Sequence, residues 1–218
     1  MTFDINWDLD IYKKKRQFNK HPYDKIVSSI NRYFNKKKIS VQKLTALDLG
    51  CGTGNNTKFL CEYGFRKVIG IDGSKSAIKF AKNFLKKNKN CQLFVKDFNK
   101  INFTERSISV CIDRGSITHN SKKNIDLIFS EVHKILKRNG IFISCLFSKN
   151  HYAYQKKKNL FFKKETGAKS GLVTSFFDKK EIKRLFKNFK TEIIIHEINF
   201  NVISKKKSSM WFVVAKKL

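Results

Sequence analysis

The chain is poor in proline, acid, arginine and glycine, and each shortage narrows what it can be. Pro22 is the one proline in 218 residues, which excludes a proline-rich linker or recognition segment. Asp and Glu number 17 against 47 Lys and Arg, a net charge of +30. Only seven of those bases are arginine, at 16, 32, 66, 106, 114, 138 and 184. Specific phosphate and base recognition draws on the bidentate arginine fork, so a lysine-rich, arginine-poor chain argues against a nucleic-acid reader. The lysines run through every segment beside abundant Asn, Ile and Phe, the joint bias of an AT-rich coding sequence. They read as a solvated surface that can also favour an anionic substrate.

Five cysteines, Cys51, Cys61, Cys91, Cys111 and Cys145, make an odd number with no C-x-x-C pair. That spacing speaks against a disulfide framework and against a metal site, and the thiols read as reduced, mostly buried apolar groups. No apolar run approaches the ~18 residues of a membrane span. The opening MTFDINWDLD is acidic, without the basic and apolar regions of a secretory signal, so the expected location is the cytoplasm. Hydrophobic residues reach 41%, enough for one domain with a sizeable core.

Glycine is scarce too, ten residues in all, yet three crowd into five positions. The stretch Ala46-Leu47-Asp48-Leu49-Gly50-Cys51-Gly52-Thr53-Gly54-Asn55-Asn56 is an apolar run, an acid, three glycines at spacing two and the start of a helical pattern. Glycine admits backbone angles closed to other residues and lets a ligand approach the main chain. The following helix presents unpaired N–H groups to that ligand. The plain alternative is a tight strand-to-helix turn. A dinucleotide fingerprint, Gly-x-Gly-x-x-Gly, does not fit, because the third glycine comes one residue early and position 55 is Asn.

Periodicity divides the rest. Residues 1–39 form an amino-terminal helical extension that can serve as a lid. Its helix starts near Pro22, with Tyr23, Ile26, Val27, Ile30, Tyr33 and Phe34 as one apolar stripe. Residues 40–218 alternate strand and helix. Strands are expected at 44–49, 67–71, 91–95, 108–112, 141–146, 191–198 and 210–215. Helices are expected at 55–63 before Gly64, from a Ser74 cap to about Lys87, at 125–136 before Gly140, and at 177–189. Such alternation predicts a doubly wound, mostly parallel α/β sheet of seven strands. The last two strands have no helix between them, so they pair antiparallel.

The Asp-x-Gly-x-Gly-x-Gly pattern resembles motif I of the class I S-adenosylmethionine-dependent methyltransferases, and the resemblance extends over about residues 40–218. It implies a Rossmann-like fold, S-adenosylmethionine as cofactor and S-adenosylhomocysteine as product. Asp48, Gly50, Gly52 and Gly54 then belong to the loop at the cofactor's methionine end. Asp72-Gly73 closes the second strand, 18 residues after Gly54, where the family holds both ribose hydroxyls. A helix-capping aspartate is the other reading of Asp72. Asp97-Phe98 follows the third strand, where relatives hold the adenine. Leu136-Lys137-Arg138-Asn139-Gly140 stands where many relatives have Leu-Lys-Pro-Gly-Gly, and Trp211-Phe212-Val213-Val214-Ala215 resembles the closing strand.

Methyl transfer to a hydroxyl or amine also needs a proton removed. The carboxyl end of the fourth strand offers Asp113 and, six residues on, His119. His119 is the candidate general base, with an acid limb near the ordinary histidine value. A histidine that shapes the wall is the alternative. Asp113 is a second base candidate or a cofactor contact. His151, Tyr152 and Tyr154 follow the fifth strand and can line the acceptor pocket; His21 reads as structural. With Pro22 as the one proline, neither the Asn-Pro-Pro-Tyr box for base amino groups nor the Pro-Cys nucleophile motif can exist. The 151–175 insert is long for a connection and can close over a small acceptor. The region 113–120 looks like that of bacterial enzymes acting on sugars, nucleotide-linked sugars or surface-polysaccharide precursors. An RNA methyltransferase and a non-catalytic cofactor-binding module are the other two readings.

Overall fold

The structure is a computed structural model, and it describes residues 3–98, 101–154, 160–161 and 172–218. Seven strands make one sheet: β1 (Thr45–Leu49), β2 (Lys67–Asp72), β3 (Cys91–Val95), β4 (Ile108–Arg114), β5 (Leu136–Phe147), β6 (Phe189–Asn201) and β7 (Lys206–Lys217). Their spatial order is β3-β2-β1-β4-β5-β7-β6. β1 to β5 pair parallel, and β7 runs antiparallel to both of its neighbours. The helices are α1 (Asp24–Lys36), α2 (Asn55–Tyr63), α3 (Lys75–Phe84), α4 (Lys122–Ile135) and α5 (Lys179–Leu185). Leu160–Phe161 pairs with Leu172–Val173 in a separate two-stranded ladder. The rest of the 151–175 insert lies largely outside the described residues.

Strand faces explain why both sides of the sheet are covered. Successive side chains point to opposite faces. Leu47, Cys111 and Phe142 face the cluster that holds α4 and α5. Ala46, Val110, Ile112, Ile141 and Ile143 face the one that holds α1 and α2. A sheet buried on both faces gives continuous apolar runs, as these strands show. α4 sends Ile125, Ile128, Phe129, Val132 and Ile135 inward, and Ser121 caps it by accepting the Asn124 N–H. On α1, Ile26, Ile30 and Phe34 are buried while Val27 and Tyr33 are only half covered.

Several boundaries differ from the sequence expectation. Gly140 does not end α4, which passes at Leu136 straight into β5. Asn139 takes the left-handed turn there, at φ 65°. Gly140 instead lets two strands approach: a Cβ would lie 3.2 Å from the Ser109 carbonyl oxygen and 3.3 Å from that of Ile108. α3 stops at Phe84 rather than Lys87, and α5 is confined to 179–185 between Phe177, which bridges to Ser148, and Phe189, which opens β6. Pro22 lies outside α1, just before its N-cap, Tyr23.

Candidate functional site

The glycine loop lies at the carboxyl edge of β1. Gly50, Gly52 and Gly54 have φ of 73°, 53° and 90°, angles that penalise any residue with a Cβ. They do three different jobs. At Gly50 a Cβ would overlap Ser116 from the β4–α4 turn; at Gly52 it would lie 2.8 Å from the Tyr12 hydroxyl; at Gly54 it would lie 2.7 Å from Leu85 in the α3 region. Gly54 thus lets α2 pack closely, whereas Gly50 and Gly52 keep the loop thin beneath the site.

One cavity of about 230 Å³ runs over that loop. Its walls include Phe3, Asp72, Gly73, Asp97 and Phe98 on the β2–β3 side and Arg114, Ser116, His119, Asn120 and Phe147 on the β4–β5 side, with Gly50 of the β1 loop between them and Trp7 and Tyr12 from the amino-terminal segment. Six of the expected site residues therefore meet in one place: Gly50, Asp72, Gly73, Asp97, Phe98 and His119. Asp72, at the end of β2, accepts the Gly52 N–H at 2.9 Å and the Ser74 N–H at 2.8 Å. Each oxygen keeps a second lone pair for a hydroxyl donor. Burial pushes its pKa up to about 6 against those hydrogen bonds.

Asp48 and Asp113 lie behind the cavity, outside its lining. Asp48 is buried and accepts the Thr57 hydroxyl at 2.6 Å, tying β1 to the first turn of α2. Burial, with Asp113 and Asp72 nearby, pushes its pKa up to about 7. Asp113 is buried as well. It accepts the Ser116 N–H (2.8 Å), the Ser116 hydroxyl (2.5 Å), the Ile117 N–H (3.0 Å) and the Ser144 hydroxyl (2.8 Å). Three of these donors converge on one carboxylate oxygen and the Ser144 hydroxyl meets the other, so in this fold Asp113 shapes the turn that carries Ser116 and His119.

His119 is half-buried between the rings of Trp7 (4.6 Å between centroids) and Phe147 (5.6 Å). Its Nδ1 lies 3.0 Å from the Thr174 hydroxyl, which itself donates to the Leu172 carbonyl. The Thr174 oxygen is therefore the acceptor for Nδ1–H, and the lone pair of the neutral ring resides on Nε2. Burial pushes the His119 pKa down to about 3, so an acid limb near the ordinary histidine value does not follow from this residue. His151, Tyr152 and Tyr154 lie outside the cavity lining. The His151 ring packs on Phe147, and Tyr154 on Phe176.

The expected amino-terminal lid is seated by contacts that no motif announced. Residues 7–12 form a short π-type turn above the glycine loop. The Asp8 carboxylate accepts the Ser74 hydroxyl (2.5 Å) and the Ser76 N–H (2.8 Å) at the start of α3. Burial alone would raise the Asp8 pKa, but these bonds hold it below the usual value. The Phe3 N–H donates to Asp97 at 3.3 Å, and its ring fills the space a Cβ at Gly73 would need. The only signal in the sequence was Trp7 and Tyr12 beside acids in a basic chain.

The cradle fits an adenosyl-amino-acid cofactor. A buried carboxylate with spare lone pairs, Asp72, stands beside an acid–aromatic pair, Asp97-Phe98, and a loop stripped of Cβ atoms. The Phe3 amide already uses Asp97 as an exocyclic amine would. A cofactor hydroxyl needs ionised Asp72, so a proton there competes with binding. With a pKa of about 6, S-adenosylhomocysteine affinity should be nearly flat above pH 7 and fall towards tenfold per unit below about pH 6. Calorimetry at pH 6 in two buffers of different ionisation heat should register proton release. A pH-independent affinity from 5 to 8 would show that Asp72 takes no part.

A methyltransferase-domain family model matches residues 46–140. The chain is 27% identical over 204 residues to an uncharacterised protein of Methanocaldococcus jannaschii, covering 80% of this chain and 76% of that one. Further curated relatives are matched over about half their own length. A SAM-dependent methyltransferase structure from Methanosarcina mazei superposes with a TM-score of 0.70 at 19% identity, over 91% of this chain and 99% of that one. The Burkholderia thailandensis 1,6-didemethyltoxoflavin-N1-methyltransferase, solved with its acceptor and S-adenosylhomocysteine, superposes at 0.65 and 15% identity, over 88% and 76%. With its glycine loop and this strand order, the chain has the class I S-adenosylmethionine-dependent methyltransferase fold, and its residues 46–140 match the methyltransferase-domain family.

Proposed function

We propose that this protein methylates a small-molecule acceptor held against His119, with sugars, nucleotide-linked sugars or surface-polysaccharide precursors as the class its sequence favours. The observation that supports this reading is the acceptor end of the cavity: Trp7, His119 and Phe147 make a narrow aromatic slot, roofed by the amino-terminal segment. Such a slot suits one ring better than a polypeptide or a folded RNA. The neighbour that methylates a ring nitrogen of didemethyltoxoflavin supports a compact ring acceptor in the same way.

S-adenosylmethionine supplies an activated methyl group, so the chain's own work is mainly positioning. In this reading Asp72 takes the ribose hydroxyls and Asp97-Phe98 the adenine. The Gly50–Gly54 loop and Tyr12 border the methionine end, with Asp48 setting the loop from behind. His119 accepts the acceptor's proton on Nε2, Asp113 positions the turn that carries it, and residues 1–39 act as the lid.

Transfer from methyl-labelled S-adenosylmethionine to nucleotide sugars, free ring alcohols and amines, and bulk RNA tests the assignment. Label should enter a small molecule, with a rate nearly flat in salt for a neutral acceptor. Label confined to RNA, lost steeply between 50 and 200 mM salt, would move the function to RNA. Cofactor binding with no label in any class would make the chain a binding module.

A further inference from the structure

The β6–β7 ladder outruns the rest of the sheet. β5 pairs with β7 only as far as Phe147 opposite Met210, whereas β6 and β7 stay paired out to Asn201 opposite Lys206. At about 3.3 Å per residue, the ribbon extends about 13 Å past Phe147. β6 and β5 are both antiparallel to β7, so β6 ends at the same carboxyl edge as β5. Phe147 lines the cavity there. The ribbon therefore projects from the edge that carries the site.

Its tip has the wrong chemistry for a plain solvent turn. Hairpin turns favour Gly, Asn and Asp. Here Val202 is 77% exposed and Ile203 96%, with Phe200 at 57% on the strand below. Lys205, Lys206 and Lys207 follow directly and are exposed, and residues 198–209 contain no acid. Tyr152 flanks the ribbon just below its tip, its N–H donating to the Lys207 carbonyl at 2.8 Å and its ring 5.0 Å from the Lys206 ammonium. An exposed aliphatic point collared by lysines and flanked by a tyrosine has the amphipathic make-up of an interfacial anchor.

We propose that this hairpin tip docks the protein on an anionic lipid bilayer. Val202 and Ile203 enter the boundary between headgroups and acyl chains, and the three lysines meet anionic headgroups. The cavity edge then faces the membrane. Charge complementarity decides between occupants. An RNA strand can meet the lysines and stack on Phe200 or Tyr152, but it leaves Val202 and Ile203, the most exposed apolar residues of the tip, uncovered. A second copy of this chain would bring one lysine collar against another. The inference stands apart from the acceptor's class.

The test is sedimentation of the full chain with vesicles of phosphatidylcholine alone, and with one third phosphatidylglycerol added. Three proteins are compared: the parent, V202S/I203S and K205E/K207E. The parent should bind the anionic vesicles at least about tenfold more strongly than the neutral ones. The apolar variant should lose about tenfold or more while keeping every charge. The charge-reversal variant should lose the preference for anionic lipid. Melting temperature and S-adenosylhomocysteine affinity should match the parent's in both variants, which keeps a failed cofactor site distinct from a failed dock. Anionic-vesicle binding that survives V202S/I203S would assign it to the chain's overall charge and overturn the proposal. So would absence of vesicle binding, with oligouridylate binding lost in K205E/K207E, or a dimer that V202S/I203S dissociates.

Discussion

Replacing His119 by alanine should lower turnover by roughly 10²–10⁴-fold, the usual range for a positioned proton acceptor. The cofactor's affinity should scarcely move, because His119 follows β4 whereas Asp72 and Asp97 lie at the ends of β2 and β3, on the other side of β1. The pH profile is the sharper reading. With a pKa pushed down to about 3, His119 stays neutral through the physiological range. Its own protonation should then leave no acid limb between pH 5 and 8, whereas Asp72 and Asp48, raised by burial to about 6 and about 7, can each supply one. A base so weak also contributes less driving force, which suits an acceptor that ionises easily or one oriented chiefly by the Nε2 lone pair. H119A keeping more than a tenth of the rate would sink the assignment. Proximity alone would then carry the reaction.

Asp72→Ala should weaken S-adenosylhomocysteine binding by about 1–3 kcal/mol, roughly fivefold to more than a hundredfold. Part of that loss comes from the loop, since the carboxylate also anchors the Gly52 and Ser74 amides. Asp72→Asn separates the two roles: it keeps the shape but offers one oxygen to two backbone donors. A large affinity loss with a nearly unchanged melting temperature assigns the effect to the ligand. An affinity equal to the parent's in both variants would reduce Asp72 to a cap. Gly52→Val should be worse than either, because φ is +53° and the added carbon would press on the Tyr12 hydroxyl at 2.8 Å.

Local chemistry made much of this legible. A glycine triplet states its own backbone angles, and 50, 52 and 54 all take positive φ. Acids closing β2 and following β3 fall on the cavity because strand ends in a parallel sheet share one edge. What stayed hidden depends on partners far along the chain. Nothing near Asp113 tells that Ser144, 31 residues on, completes its hydrogen bonds. Nothing near Tyr12 tells that it rests over Gly52, so a lid was legible but not the residues that seat it. The hairpin was underestimated for another reason. Side-chain alternation marks where a strand has a buried face, so β6 and β7 read as 191–198 and 210–215. Backbone pairing continues beyond the core, to Asn201 and Lys206.

The roof has a thermodynamic consequence. Phe3 sits on Gly73 and Asp97, and Trp7, four residues later, sits on His119. One short segment, pinned by Asp8, closes both ends of the cavity. A ligand that orders this segment over one end has already met the entropic cost of closing the other. Cofactor and acceptor should therefore bind with positive coupling, each raising the other's affinity by the same factor.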